Sequence, residues 1–130
     1  MKATKETMKI CNELYGSSHH RNNRANAFRH ALWNYKISEK ANEILKNDQK
    51  STKWAKKVTF LYENVTKNDF LDQKMDIINN EFGRNLFLTK KFKNRTELIN
   101  FIQNSAKKAQ KIDKNTSFDE ISENLTYISE

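Results

Sequence analysis

Apolar residues recur along the chain at intervals of three and four positions, the spacing that places them on one face of an α-helix. The pattern continues through most of the 130 residues and is interrupted by short polar stretches. It predicts five or six helices, which span about residues 2–15, 25–45, 52–63, 69–89, 96–112 and 117–128. Proline is absent and only Gly16 and Gly83 are glycines, so composition also favours helix throughout.

Capping residues mark the predicted ends of these helices. Gly16 supplies a C-terminal stop for the first helix, because glycine readily adopts the left-handed conformation found there. The predicted N-terminal residues of the later helices are Thr52, Asn68 or Asp69, Thr96 and Ser117. Glu120 follows Ser117 at the spacing of a capping box, so the last helix is predicted to be short.

The third and fourth helices are predicted to pack through different kinds of face. In the third, Trp54, Val58 and Leu61 form the predicted core side, with Ala55 and Tyr62 flanking it. In the fourth, apolar residues recur over the whole length, namely Phe70, Leu71, Met75, Ile78, Phe82, Leu86 and Phe87. We therefore expect the fourth helix to be the best-defined core helix.

Together these elements predict an all-α fold. A chain of this length is large enough to fold alone but too small for a second core. We expect a single compact bundle of about five to six helices and a single domain over residues 1–130.

The net charge of +8 favours anionic partners, such as a phosphate-bearing substrate, anionic lipid or nucleic acid. The lysine-rich runs are also explained as solvated helix faces that keep the protein soluble. Nucleic acid stays an alternative that is not favoured, because no helix-turn-helix signature or RNA-binding aromatic motif is evident.

Location and cofactors are less constrained by the sequence. No apolar run approaches the length of a membrane span, and the N-terminus lacks the apolar core of a secretory signal. We expect a cytoplasmic protein, or one exported by a specialised bacterial secretion route. Cys11 is a single cysteine among apolar residues and is expected to be buried, and no cofactor is expected.

A polar strip lies within the mostly apolar second helix. Asn26, His30 and Asn34 follow one another at intervals of four, so they share one face. Arg29 and Trp33 lie beside this strip. A histidine next to a tryptophan is often a packed core residue, and an arginine is also an ordinary partner in a structural ion pair.

The fourth helix carries a second polar strip in the middle of its apolar pattern. Asp76, Asn80 and Arg84 fall at intervals of four, with Asn79 and Gly83 on the adjoining positions. Asparagine and glycine weaken a helix interior by up to about 1 kcal/mol each relative to alanine. Such a locally unfavourable choice indicates either function or close packing of backbones.

Two interpretations of these strips remain open. If the second and fourth helices are neighbours, Asp76 orients His30 as a general base, while Arg29 and Arg84 bind an anion. Alternatively, the strips form a buried polar network that fixes the register of two helices. A metal site is ranked lower and none is predicted, because His30, Glu63 and Asp76 meet only if three helices bring them together.

The stretches NAFRHALWN, WAKKVTFLYE and MDIINNEFGR resemble a little-characterised family of bacterial helical domains. Its pattern is AFRHAxWN preceded by Asp or Asn, then a segment that ends in His-Glu, then MDxxNNxxGR. The resemblance covers roughly residues 15–84. The matching positions are Asn26, Ala27, Phe28, Arg29, His30, Trp33, Asn34, Glu63, Met75, Asp76, Asn79, Asn80, Gly83 and Arg84. Tyr62 stands where the family has a histidine.

Domains of this kind are found at the C-termini of exported bacterial proteins, which implies an effector or toxin-like role. With the polar strips, this favours a hydrolase of a phosphate-containing or cell-envelope substrate. The expected catalytic residues are His30, Asp76 and Glu63, and the expected substrate-binding residues are Arg29, Asn26, Trp33, Asn79, Asn80 and Arg84. A cognate inhibitor protein is a partner that such a role implies.

The alternative function is a non-catalytic basic binding module, whose polar strips only hold the helices in register. Its partner is nucleic acid, anionic lipid or another protein. The chain also fits an excised fragment of a longer protein.

Overall fold

The structure, a computed structural model, describes residues 2–66 and 69–130. Five α-helices dominate these residues, and the predicted all-α fold is confirmed. The helices are α1 (Lys2–Tyr15), α2 (Arg24–Leu45), α3 (Asp48–Thr66), α4 (Phe70–Thr89) and α5 (Arg95–Lys107). Short 3-10 turns cover Gly16–His20 and Phe118–Glu120, and two-residue strands form β1 (Gln110–Lys111) and β2 (Thr126–Tyr127). None of the described helices has the length and apolar character needed to cross a membrane.

Helix α2 lies at the centre and contacts α1, α3, α4 and α5. It begins where the Asn23 side chain accepts a hydrogen bond from the Asn26 backbone N–H at 3.0 Å. It ends at Lys46, which adopts the left-handed conformation with φ of 53°. Because a central helix meets neighbours on several sides, most of its residues from Ala25 to Ser38 are buried.

The main apolar core lies between α2 and the helices α1, α4 and α5. Its most deeply buried residues include Phe28, Leu32, Ile102 and Leu125. A second and smaller apolar cluster joins α1, α2 and α3 through Ala3, Trp33, Ile37 and Ala55. The bundle is therefore packed more heavily on its α4 and α5 side than on its α3 side.

Helices α2 and α4 approach each other unusually closely at Gly83. A Cβ atom at this position would lie 2.2 Å from the Ala31 carbonyl oxygen, far inside van der Waals contact. Glycine is thus required by the close approach of the two backbones. The same approach brings the polar strip of α4 against that of α2.

Helix α3 differs from its prediction in both its start and its orientation. It begins at Asp48, and the Asn47 side chain accepts from the Lys50 backbone N–H at 2.9 Å. Thr52 is a buried residue inside the helix and donates to the Gln49 carbonyl at 3.0 Å. The predicted start at Thr52 is therefore wrong, because Asn47 provides an earlier cap.

The predicted core face of α3 is wrong for Trp54 and Leu61, whereas Val58 packs against the smaller apolar cluster as predicted. Trp54 and Leu61 are exposed, whereas Ser51, Ala55 and Thr59 are buried. The buried hydroxyls donate to carbonyls of their own helix, from Ser51 to Asn47 at 2.7 Å and from Thr59 to Ala55 at 3.0 Å. Burial of these small residues is tolerated because their hydrogen bonds are satisfied locally.

The start of α4 resolves the choice that the sequence left open. The Asp69 carboxylate accepts from the Leu71 backbone N–H at 2.8 Å and from the Asp72 backbone N–H at 3.3 Å. Asp69 is therefore the N-cap, and Asn68 lies outside the described residues. Phe70 was predicted to face the core but is exposed, because it occupies the first helical position beyond this cap.

Helix α5 is displaced from its predicted bounds. Asn94, rather than Thr96, caps it by accepting from the Glu97 backbone N–H at 2.9 Å. It ends at Lys107 instead of continuing to Ile112.

The C-terminal segment contains a parallel strand pair that periodicity did not predict. Strands β1 and β2 pair, with Gln110 opposite Thr126. The predicted sixth helix is only the 3-10 turn Phe118–Glu120, where the Ser117 backbone N–H donates to the Glu120 carboxylate at 3.3 Å. A two-residue pairing is too short to leave an alternating signal.

Candidate functional site

The polar strips of α2 and α4 meet at His30, and α3 contributes Glu63 to the same place. His30 Nε2 lies 3.2 Å from Asp76 Oδ1, and His30 Nδ1 lies 3.4 Å from Glu63 Oε1. Asn80 Oδ1 lies 2.8 Å from His30 Nδ1. The exposed side-chain fractions are 3% for His30, 1% for Asp76 and 12% for Glu63. The predicted proximity of helices two and four is thus observed, and three helices converge.

A chain of hydrogen bonds fixes the orientation of the His30 ring. Arg84 Nη1 donates to Asn34 Oδ1 at 2.9 Å, and because arginine only donates, that Asn34 atom is an oxygen. Asn34 Nδ2 then donates to Asn80 Oδ1 at 2.8 Å, so Asn80 presents an oxygen to His30. This assignment places a proton on His30 Nδ1, which donates to Asn80.

The consequence concerns the other ring nitrogen. In neutral His30 the Nε2 lone pair lies 3.5 Å from Arg29 Nη2, which can donate to it, and 3.2 Å from Asp76 Oδ1. A carboxylate oxygen at this distance favours a proton or a cation at Nε2. In the sequence hypothesis Asp76 orients His30 as a base; in the structure Asp76 contacts Nε2 and Asn80 contacts Nδ1. The cluster is therefore suited to hold a positive charge at Nε2.

The same three residues meet the condition that the sequence set for a metal site. His30, Glu63 and Asp76 each offer one ligand atom, and these atoms lie within 4.8 Å of one another. Imidazole nitrogens and carboxylate oxygens are both ligands of zinc and related divalent cations. No metal was expected because these residues lie on separate helices. The fold brings those three helices together at this point.

Two small clefts border the cluster from opposite sides. The first, of about 130 Å³, is lined by Thr4, Thr7, Met8, His20, Arg29, His30, Trp33 and Tyr62. The second, of about 100 Å³, is lined by Lys56, Thr59, Phe60, Glu63, Gln73, Ile77, Asn80 and Arg84. A larger cleft of about 620 Å³ between α4, α5 and residues 122–124 contains none of the cluster. Chemistry at His30 therefore depends on the two small clefts and not on this larger one.

Arg29 and Arg84 occupy one cleft each. Arg29 Nη1 lies 3.1 Å from His20 Nδ1, and Arg29 Nη2 lies 3.5 Å from His30 Nε2. Burial lowers the pKa of the Arg84 guanidinium, although the side chain still donates to Asn34. Both arginines thus border the cluster, as the sequence hypothesis required of anion-binding groups.

Asn26 and Asn79 were expected to bind substrate but lie away from the cluster. Asn26 Nδ2 donates to the His19 carbonyl at 2.9 Å and so holds the 3-10 turn after α1. Asn79 accepts from the Thr126 backbone N–H at 2.8 Å and donates to the Thr126 carbonyl at 2.9 Å. These amides serve the fold, and the expected contact of either with substrate is not supported.

Trp33 forms a wall of the first cleft together with Tyr62. The two rings meet edge to face with centroids 5.3 Å apart, and the Trp33 indole N–H donates to the Thr4 hydroxyl at 3.0 Å. Tyr62 and His20 were not predicted as site residues. Asn34 was likewise left out, although its position four residues after His30 was the signal that could have identified it.

Other titratable groups of interest are held in uncharged form. Burial is the main cause that lowers the pKa of His19 to about 4, with smaller contributions from His20 and Arg29. Burial raises the pKa of Cys11 to about 12, so its thiol is a poor nucleophile near neutral pH. The expectation that Cys11 is buried is confirmed.

Comparison with known proteins yields a family but no characterised relative. No curated protein and no solved structure matches the chain. A family model matches residues 1–110, a longer stretch than the motif-bearing region 15–84, and it contains the whole His30, Glu63 and Asp76 cluster. The chain therefore belongs to the family described as a domain of unknown function, DUF6973.

Proposed function

We propose that this chain is a hydrolase of the bacterial effector type that uses a divalent cation and acts on a phosphate-containing or cell-envelope substrate. The observation that carries the proposal is the buried approach of His30 Nε2 to Asp76 Oδ1 at 3.2 Å, with Glu63 beside them. The proposal treats residues 1–130 as one helical domain.

His30, Asp76 and Glu63 act as ligands in this proposal. His30 binds the cation through Nε2 while its Nδ1–H donates to Asn80. Histidine ligands usually donate their second N–H in this way, which fixes the ring and raises its basicity as a ligand. A cation with three protein ligands has room for water and substrate, and it makes water nucleophilic near neutral pH.

The reaction is the hydrolysis of an ester of phosphate or of an envelope component. For a phosphate ester, the water oxygen bonds to phosphorus and the bond to the leaving oxygen breaks. One proton of the water goes to the leaving oxygen and the other goes to solvent. No oxidant or reductant is needed.

Arg29 and Arg84 each offer a binding site for an anionic group of the substrate, one in each cleft. Trp33 and Tyr62 provide the apolar wall beside Arg29. Because the Nε2 of His30 lies 3.5 Å from Arg29 Nη2, an anion on this arginine is next to the ligand cluster. Asn80 positions His30 and does not contact substrate directly.

The departure at Tyr62 from the resembling family is compatible with this arrangement. Tyr62 packs against Trp33 in the first cleft, while His30, Glu63 and Asp76 form a three-ligand set without it. We therefore expect that the missing histidine alters the cleft wall and not the number of ligands in the cluster.

A second candidate function is a non-catalytic binding module in which the cluster is only structural. The observation that favours it is burial, because His30, Asn34 and Asp76 are almost fully enclosed. In that case the His30 ring contacts Asp76, Glu63 and Asn80 and holds three helices in register. This candidate predicts no bound cation.

Cation binding by the purified protein tests the two candidates. Calorimetric titration with Zn²⁺ and with Mn²⁺ should show one ion bound per chain, because His30, Glu63 and Asp76 form one ligand set. Asp76→Asn should weaken binding by at least about tenfold. Hydrolysis of bis(para-nitrophenyl) phosphate should require the ion and be lost in the same variant.

His19→Gln is the matched control, because His19 is equally buried but lies outside the cluster. It should bind the ion like the wild type. If Asp76→Asn does not fold, Glu63→Gln replaces it, since Glu63 is the most exposed of the three ligands. Absence of ion binding by folded wild-type protein would overturn the hydrolase proposal and favour the structural cluster.

The effector role is tested in growing bacteria that express the chain in the cytoplasm or with an added export signal. We expect growth inhibition in one compartment, relieved by Asp76→Asn but not by His19→Gln. The compartment then narrows both the location and the substrate, and a cognate inhibitor protein should relieve the inhibition. Harmless expression in both compartments would contradict the effector role.

A further inference from the structure

The outer face of α3 carries large apolar and basic side chains, whereas its inner face carries the small side chains of Ser51, Ala55 and Thr59. Lys50, Lys53, Trp54, Lys57, Phe60 and Leu61 recur at the three- and four-residue spacing of a single helix face. The exposed fractions are 51% for Trp54, 60% for Phe60 and 66% for Leu61. Surface helices normally turn such side chains inward, so this exposed set marks an interaction surface.

The exposed set continues to the mouth of the second cleft. Phe60 lines this cleft together with Ile77 of α4, whose side chain is also largely exposed. The same cleft contains Glu63 and Arg84. A partner that covers the outer face of α3 is therefore beside the ligand cluster.

The lysines of this face limit the kind of partner. Lys53, Lys56, Lys57 and Phe60 surround a surface hollow of about 290 Å³. The aliphatic stems of lysine add apolar surface, while the ammonium groups extend to its rim. Along α3 the acidic residues are Asp48 in the first turn and Glu63 at the cluster, so the outer face itself is cationic.

A partner that complements this face must be apolar and anionic at the same place. An anionic phospholipid bilayer has that combination, because acyl chains lie directly beneath phosphate headgroups. Nucleic acid is favoured less, since it would bind through stacking on aromatic rings. Trp54 and Phe60 could stack on bases, but the aliphatic Leu61 and Ile77 could not, whereas all four side chains can enter the apolar layer of a bilayer.

We infer that the outer face of α3, with Ile77, docks onto an anionic lipid membrane. Docking brings headgroup phosphates to the cleft of Glu63 and Arg84. Resting on the proposed function, this names anionic phospholipid as the substrate class. The preferred phosphate therefore belongs to a lipid in a bilayer, and a soluble phosphate ester serves only as a model substrate.

Vesicle flotation tests the docking surface directly. The wild-type chain should float with vesicles of equal parts phosphatidylglycerol and phosphatidylcholine, and at least tenfold less with phosphatidylcholine alone. Leu61→Ser and the pair Lys53→Glu with Lys57→Glu should each reduce flotation at least tenfold. All three positions are exposed, so the variants should keep the wild-type melting temperature.

Matched controls separate this face from general stickiness. Ile44→Ser removes an exposed aliphatic side chain at the end of α2, and Lys91→Glu with Lys107→Glu changes the same charge elsewhere. Both controls should float like the wild type. Equal losses in the controls, no flotation of the wild type, or binding of a single-stranded oligonucleotide without binding of vesicles would each overturn the inference.

The two proposals fail separately. Asp76→Asn should float like the wild type but should not release lipid product in the presence of Zn²⁺ or Mn²⁺. Leu61→Ser should bind the ion but not the vesicle. Flotation without ion binding would contradict the hydrolase proposal and support the docking surface. Ion binding without flotation would contradict the docking surface and leave the hydrolase proposal standing.

Discussion

Helices α3 and α5 carry similar apolar patterns, but only α5 buries the large apolar residues that its pattern places in the core. Helix α5 buries Leu98 and Ile102, as its pattern predicts. Helix α3 buries Ala55 and Thr59 and leaves Leu61 in solvent. Periodicity therefore predicts that a helix exists. It does not predict which face packs when another face of the helix carries small side chains whose hydroxyls bond within the helix.

The largest expected effect comes from removing an aliphatic side chain from each of the two helices and comparing the change in stability. Ile102→Ala should destabilise the fold by about 2–5 kcal/mol, because it leaves a cavity in the main core. Leu61→Ala should change stability by less than about 0.5 kcal/mol, because the side chain is already in water. Urea unfolding of both variants measures the difference. A comparable loss in Leu61→Ala would show that this residue is packed in solution.

The next prediction concerns the close contact that aligns the polar strips. Gly83→Ala should destabilise the fold by about 3 kcal/mol, since the new Cβ would lie 2.2 Å from the Ala31 carbonyl oxygen. Asn85→Ala on the exposed side of α4 is the control and should have little effect. Thermal melts distinguish the two.

The sign of the Gly83 effect is informative. At an open helical position, alanine in place of glycine stabilises by up to about 1 kcal/mol. A stabilised Gly83→Ala protein would therefore contradict the close approach of α2 and α4. It would also weaken the argument that Asn80 lies within hydrogen-bond reach of His30.

Much of the site was predictable because the residues that make it follow helical spacing. His30, Asn34, Asp76, Asn80 and Arg84 all lie on faces that the sequence defines. Their pairing across helices was conditional on α2 and α4 being neighbours. The close approach at Gly83 meets that condition, and a glycine in the middle of a core helix was the signal for it.

The remaining features depended on three-dimensional choices that leave little trace in a pattern. Asn79 looked like a site residue because it is a polar residue next to Asn80, but its amide holds strand β2 instead. The rotation of α3 that exposes Trp54 and Leu61 depends on an Asn47 cap and on hydroxyls that bond within the helix. The ligand role proposed for Glu63 depends on three helices meeting, which the pattern of a single helix does not show.

A third prediction extends the comparison from apolar to ionisable side chains. His19 is fully buried, its Nε2 lies 2.7 Å from Asn12 Oδ1, and no described residue makes a hydrogen bond with its Nδ1. Protonation adds an N–H at Nδ1 without an acceptor. With a folded pKa of about 4 against an ordinary value of 6.5, the unfolded chain binds more protons between these values.

Stability should therefore be complete above pH 6.5 and fall as the pH is lowered towards 4. The loss at pH 5 should be about 2 kcal/mol. His19→Gln keeps a donor for Asn12 but does not titrate, so the fall over this range should be smaller in the variant by that amount. Urea unfolding at pH 7 and pH 5 measures it. The same pH dependence in both proteins would show that His19 is not the titrating group.

The substitution with the smallest expected effect tests whether the inner face of α3 is stabilised by the fit of its side chains or by hydrogen bonds. The Thr59 hydroxyl donates only to carbonyls of its own helix among the described residues, at 3.0 Å to Ala55 and 3.3 Å to Lys56. Thr59→Val keeps the branched shape and removes the hydroxyl, so stability should change by less than about 0.5 kcal/mol. A loss above about 1 kcal/mol in urea unfolding would mean that the hydroxyl stabilises the contact with α2. The orientation of α3 would then depend on polar contacts. The exposure of Trp54 and Leu61 would follow from those contacts and not from the fit of small side chains.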